Sequence, residues 1–253
     1  MFSTRTWTRV TSGESGAEVH RSPDGRQHAK SVPAAREAEL AGERDRIAWL
    51  ATTGVPGPTV VDWHVDEGGA CLVTSTVEGV PADSVSAGTL RRAWPAIVEL
   101  VGALHGLPAG DCPFSRDLAA MWAVARDVVA RGAVNAAFLP VEQQSTPPAE
   151  LLARLSAELE TRLAQEPADT VVCHGDLCLP NIILTPDGSA VAGLIDLGRL
   201  GRADSHADLA LLLTNARETW TSESEATAAD EAFTDIDDDR RRFYLHLDPL
   251  TWG

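Results

Sequence analysis

The sequence predicts an α+β chain in two parts: an antiparallel sheet carrying one long helix, followed by a mostly helical remainder. Three observations predict it. Residues 6–31 read as short strands between turns: "TWTRV", "AEVHR" and, past the "SPDG" turn, "RQHAKSV". Residues 34–52, "AAREAELAGERDRIAWLAT", place Leu40, Ile47 and Leu50 on one helical face and end before Gly54. After the polar bend "EGVPADS", apolar residues recur mainly at helical spacing. The boundary is drawn at 77/78, giving a first domain of 1–77 and a second of 78–253.

Each element follows from its local pattern. "PTVVDWHV" and "ACLVTSTV" flank the turn "DEGG" and read as a hairpin. Ile97, Leu100, Val101 and Leu104 mark a helix over 94–107, with Pro95 in its first turn, where a missing N–H costs nothing. Further helices are predicted over 116–131 and 149–164, with the loop "QQSTPP" between them. Short strands follow at 170–173, 182–185 and 191–195, then a helix opened by Ser205. "DIDDD" at 235–239 reads as a solvated turn.

Composition narrows the function classes. With 253 residues the chain can bury a sizeable core, and no apolar run approaches the length of a membrane span. The N-terminus lacks the apolar segment of a secretory signal, so a cytoplasmic protein with reduced thiols is expected from its four cysteines. A net charge of −16 argues against nucleic acid and suits a cationic ligand. No membrane or protein partner is indicated. Among 21 basic residues Lys30 is the only lysine, which marks it either as a chemically required point charge or as an accident of codon usage.

The stretch "VVCHGDLCLPNIIL", residues 171–184, concentrates chemistry-bearing side chains. A zinc site of Cys173, His174 and Cys178 would need a second ligand pair that the chain lacks. A thiol nucleophile at Cys178 has no independent support. The elements His-x-Asp, with Asn five residues after the Asp, have the spacing of the protein-kinase catalytic loop, where Asp meets the acceptor hydroxyl and Asn holds metal. Fifteen residues after Asn181, the apolar run "VAGLID" delivers Asp196, followed by "LG". A carboxylate ending such a run is costly unless paired or metal-bound. Asp176, Asn181 and Asp196 would then form an acidic pocket for Mg²⁺. Lys30 falls on the third strand, where a kinase keeps its phosphate-binding lysine. Glu43, between Leu40 and Ile47 on the inward helix face, is placed to pair with it.

These residues, with "GLIDLGRLGRADSHADLALLL", resemble the aminoglycoside phosphotransferases, which share the protein-kinase fold. "ELAGERDRIAWL", "GACLVTS", "GVPADS", "DCPF" and "FYLHLDPLTWG" resemble, more narrowly, the streptomycin 3''-phosphotransferases, over about residues 10–253. The resemblance implies a two-lobed, protein-kinase-like α+β fold, with an N-terminal antiparallel sheet and one long helix before a mostly helical C-lobe. It implies ATP or GTP as donor, Mg²⁺ as cofactor, and a small cationic aminoglycoside, streptomycin, as acceptor.

The residue roles it implies are these. Asp176 is the catalytic base or hydroxyl-orienting carboxylate, Asn181 and Asp196 are Mg²⁺ ligands, and Lys30 with Glu43 binds phosphate. The turn "TSGESGAEV" brings backbone amides near Ser15 and Gly16 to the phosphates, and Ser75 to Val77 offer backbone groups to the base. Glu218, Asp248 and Asp111 are acceptor-site candidates, each equally open to reading as a surface carboxylate. His174 and Asp208 are architectural; Asp208, three after Ser205, also fits a capping box. Arg199 is either a partner of the acidic pocket or a surface arginine.

One departure stands out: between "DEAF" and "RRRFYLHL" the chain has only "TDIDDD", where the family has a longer helix and loop. Two other readings remain at this point. One keeps the fold and changes the acceptor to another aminoglycoside or a small hydroxylated metabolite. The other is a catalytically silent binding protein, whose mark would be loss of Lys30, Asp176, Asn181 or Asp196; all four are present.

Overall fold

The computed structural model describes residues 6–10, 17–234 and 236–253. In chain order its elements are β1 (Thr8–Val10), β2 (Glu18–Arg21), β3 (Gln27–Pro33), α1 (Glu37–Leu50), β4 (Val60–Asp66), β5 (Gly69–Ser75) and β6 (Val80–Pro81). There follow α2 (Ala87–His105), α3 (Leu118–Ala130), α4 (Pro148–Ser156), α5 (Leu159–Gln165), β7 (Thr170–Cys173), β8 (Ile182–Leu184) and β9 (Val191–Leu194). The last are β10 (Gly201–Asp204), α6 (Ser205–Arg217), α7 (Glu223–Asp230) and α8 (Asp238–Leu247). No helix among the described residues is long and apolar enough to cross a membrane.

The chain divides into two compact units, one of Met1–Val85 with Pro180–Arg199, the other of Ser86–Leu179 with Leu200–Gly253. The fold is thus two-lobed α+β, but the division falls after Val85 rather than at 77/78, and the first unit is not contiguous. The reason is strand pairing. β6 and β9 flank β8 in a small antiparallel sheet, which holds residues 180–199 to the N-terminal part of the chain. Gly79 allows the approach: at φ 152° it lets the backbone lie against the Leu184 carbonyl, where a Cβ would collide.

In the first unit the main sheet has the antiparallel order β1-β2-β3-β5-β4. α1 buries the expected face, with Leu40, Glu43, Ile47 and Leu50 all buried. It packs on β5 and on the 3-10 turn Leu197–Arg199.

The second unit is built around Leu118, Met121, Leu155, Ala210, Phe243 and Leu247, contributed by α3, α4, α6 and α8. β7 and β10 pair antiparallel beneath this core. Three expectations are corrected here. The helix expected at 94–107 begins at Ala87, capped by Ser86, so Pro95 sits inside it; Pro95 and Arg91 are both exposed, and water can serve the Arg91 carbonyl that Pro95 cannot. The helix expected at 149–164 is two, α4 and α5, divided at Ala157 and Glu158. Within "DIDDD", Asp237 is an N-cap, its carboxylate accepting the amides of Asp239 and Arg240 at the start of α8.

Candidate active site

Four of the residues singled out by sequence meet in the first unit. β3 carries Lys30 opposite Leu72 of β5, and α1 supplies Glu43 from its buried face. Lys30 Nζ donates to Glu43 Oε2 at 2.8 Å and to Asp196 Oδ1 at 3.2 Å. Burial alone would pull the Lys30 ammonium down, but the charges of Glu43 and Asp196 outweigh it and push its pKa up to about 12. Lys30 is therefore a fixed cation at physiological pH. Burial pushes the Glu43 carboxyl upward, with Lys30 pulling against it.

Asn181 and Asp196 come from one hairpin. Ile182 of β8 pairs with Leu194 of β9, and the Ile195 amide donates to the Asn181 carbonyl at 3.0 Å, so Asn181 and Asp196 emerge at the same end of the ladder. Asp196 has φ 58°, the one non-glycine residue in the left-handed region among those described. That conformation costs roughly 1–2 kcal/mol, and Asp is among the few residues that adopt it. It turns the chain sharply out of β9, leaving the Asp196 side chain 42% exposed while still within reach of Lys30.

A cavity of about 660 Å³ lies within this unit, lined by Lys30, Glu43, Asn181 and Asp196 together with Ser75 and Val77. Its volume is that of an ordinary small-molecule site. Val19, Ile47, Leu72 and Ile183 add apolar wall. Thr76 is anchored between Ser75 and Val77, its amide donating to Arg26 O and its hydroxyl to Gly25 O, each at 2.8 Å. The donor set of one carboxylate and one carboxamide beside a fixed cation suits a small, hard dication bound together with phosphate oxygens, so these residues fit Mg²⁺. Ser15 and Gly16 lie outside the described residues.

The second unit holds the loop after β7. His174 is fully buried and Asp176 half-buried. Asp208, on the first turn of α6, accepts the His174 amide at 2.7 Å on Oδ2 and the Gly175 amide at 2.8 Å on Oδ1. Gly175 takes φ 82° and turns the loop. The Asp176 amide donates to His174 Nδ1 at 3.2 Å, and the Cys178 amide to the Asp176 carbonyl at 3.0 Å. Burial opposes the Asp208 charge, but hydrogen bonding from His105 and the nearby histidines hold its carboxyl below the usual value. The capping-box reading of Asp208 is corrected: the N-cap of α6 is Asp204, which accepts the His206 amide at 2.9 Å and pairs with Arg240.

Two residues that sequence reasoning missed complete the loop's support. His105 closes α2 with Nε2 3.1 Å from Asp208 Oδ2, and Asn215 Oδ1 accepts the Leu179 amide at 2.9 Å. Neither carries a local motif; only the spacing of Asn215, two helical turns after Asp208, offered a signal. Among the described residues the one compact group of potential metal ligands is His105, Cys173 and Asp208, within 4.8 Å of one another. Both Asp208 oxygens are already committed to loop amides, so the group reads as framework. Cys173, His174 and Cys178 do not form such a group, and none of the four cysteines is in a disulfide.

Asp248, Glu218, Asp111 and Arg199 are the remaining candidates. Asp248 is buried, Oδ1 accepting from Arg116 at 2.9 Å and Oδ2 from Trp252 Nε1 at 2.9 Å, which ties down the turn Asp248–Thr251. Glu218 is exposed at the C-cap of α6, and Asp111 is exposed at the end of the turn Ala109–Asp111. Arg199 ends the turn Leu197–Arg199, and its charge bears on Glu39 of α1, whose carboxyl is held low chiefly by a hydrogen bond from Arg36.

The family model described as "Phosphotransferase enzyme family" matches residues 6–245. The chain belongs to that phosphotransferase family. Among curated relatives, the phosphotransferase is 62% identical to the streptomycin 3''-kinase of Streptomyces griseus, over 98% of this chain and 93% of that one. It is 39% identical to an aminoglycoside 3'-phosphotransferase of Streptomyces fradiae, over 96% and 94% of the two chains. Among solved structures, the aminoglycoside phosphotransferase APH(3'')-Id of Streptomyces rimosus, in complex with ADP and streptomycin, superposes with a TM-score of 0.94 at 57% identity, covering 99% of this chain and 94% of that one.

Proposed function

We propose that this phosphotransferase moves the γ-phosphoryl group of ATP to the 3''-hydroxyl of streptomycin and so confers resistance to it. The observation that carries the reading is near-full-length similarity to a streptomycin 3''-kinase in a chain that also keeps the linked Lys30, Glu43 and Asp196 beside Asn181.

In this reading the first unit is the nucleotide-binding domain. Lys30, fixed as a cation by Glu43, neutralises charge on the triphosphate, and the segment Ser75 to Val77 meets the base. Asn181 and Asp196 hold Mg²⁺, which supplies charge neutralisation on the phosphate oxygens when bound. The second unit carries Asp176, which accepts a hydrogen bond from the acceptor hydroxyl and aligns its oxygen for in-line attack. Phosphoryl transfer asks the protein mainly for positioning and electrostatics, and both are what these side chains offer. Asp208 and His174 stiffen the loop. Exposed acidic side chains such as Glu218 and Asp111 attract the guanidinium groups of streptomycin, in keeping with the net charge of −16. Asp248, held in place by Arg116 and Trp252, is a third acceptor-site candidate in the same unit. The need for a nucleotide donor places the reaction in the cytoplasm.

A second reading changes only the acceptor, to another aminoglycoside; the 39% identical 3'-phosphotransferase favours it. Product analysis decides between them. Incubation with ATP, Mg²⁺ and streptomycin should give a singly phosphorylated product with the phosphate coupled to the 3'' position in phosphorus-proton NMR. Phosphate on any other hydroxyl, or on a 3'-hydroxyl aminoglycoside alone, would overturn the assignment.

A further inference from the structure

α6 holds the Asp176 loop at two points. Asp208 and Asn215 are seven residues apart on it, two turns, so their side chains leave the same face about 10 Å apart along the axis. Asp208 takes the amides of His174 and Gly175 before Asp176; Asn215 takes the amide of Leu179 after it. Leu179 is fully buried and opens the 3-10 turn Leu179–Asn181, so its amide is one of the N–H groups that such a turn cannot satisfy itself. Asn215 supplies the missing acceptor from a rigid helix.

Within the loop the Asp176 amide donates to His174 Nδ1, the Cys178 amide donates to the Asp176 carbonyl, and Cys178 Sγ lies 3.8 Å from Asp176 Oδ1. Asp208 fixes the backbone just before Asp176, and Asn215 fixes it three residues after. With both, Asp176 is carried between two fixed points.

We propose that Asn215 is a positioning residue for phosphoryl transfer, setting the aim of Asp176 by fixing the far end of its loop. The inference rests on the assignment of Asp176 to the acceptor hydroxyl. It requires only an acceptor oxygen at residue 215, so Asp should serve where Ala cannot.

The test compares the full-length protein with Asn215→Ala and Asn215→Asp, reading steady-state kinetics with ATP and streptomycin and backbone amide exchange. Asn215→Ala should lower kcat roughly tenfold, the scale of one misplaced hydrogen bond, with KM for ATP within about twofold of the parent. Its Leu179 amide should exchange faster while that of Val172 on β7 stays protected. Asn215→Asp should restore kcat to within about threefold and re-protect Leu179. Unchanged kcat in Asn215→Ala, equal losses in both variants, or a rise in exchange at Val172 as large as at Leu179 would overturn the proposal. If the parent turns over no streptomycin, the functional reading fails by itself. Amide exchange then still decides the clamp: faster exchange confined to Leu179 upholds it, and an unchanged Leu179 removes it.

Discussion

Lys30 Nζ sits 2.8 Å from Glu43 Oε2, a bond between the third strand and the first helix that fixes the only lysine in the chain. The lysine pKa, ordinarily 10.5, is pushed up to about 12 because Glu43 and Asp196 outweigh the effect of burial. The folded value exceeds the unfolded one, so the pair stabilises the fold at every pH below 10.5 and that contribution is lost as pH rises through about 12. Because Lys30 is the sole lysine, isotope-labelled lysine should give a single side-chain signal. That signal should not titrate between pH 6 and about 10, and Glu43→Gln should bring its midpoint down. A midpoint below 10.5 in the parent would break the pairing.

Lys30→Arg tests the shape of that charge. Arg keeps the cation but replaces a compact ammonium with a broad planar fork, in a site already bonded to two carboxylates. KM for ATP should rise or kcat should fall, by roughly tenfold or more. Parent-like values of both would show that any cation suffices.

Asp176→Ala should lower kcat by roughly 10²–10⁴, the usual scale for a positioned acid-base group, while ATP still binds. Steady-state turnover with a parallel nucleotide-binding titration separates the two. Near-full turnover would remove Asp176 from its assigned role.

Asp208→Asn replaces a buried carboxylate that takes two backbone amides with a group offering one acceptor oxygen. The expected loss is about 2–3 kcal/mol, or a melting temperature roughly 5–10 °C lower, with a fall in kcat as the loop loosens. The parent carboxyl lies below its ordinary 3.8, so its contribution is present above pH 3.8 and is lost as pH falls through the lowered value. Thermal melts across acid pH should show the variant approaching the parent at the acid end; a constant gap would argue against the assignment.

The cluster of Lys30, Glu43 and Asp196 was legible because each residue announces itself locally. Lys30 lies on a strand, Glu43 completes the apolar face of a helix, and Asp196 ends an apolar run. What sequence hid were relations between distant segments. Asp204, not Ser205, caps α6, because Asp204 is the residue with extended backbone and a side chain over the His206 amide. Asp248 looked like an exposed acid, but Arg116, 132 residues away, buries it. The 180–199 segment joins the first unit through β6, a two-residue strand too short to carry a pattern. Asn215 and His105 carry no motif at all and gain meaning only from the loop they hold.

Streptomycin phosphorylation is tested most directly by coupled ADP release with ATP and Mg²⁺, run with streptomycin, with kanamycin and with no acceptor. Turnover with streptomycin should lie far above that of both other reactions. Turnover with kanamycin but not streptomycin, or ADP release indifferent to any acceptor, would contradict it.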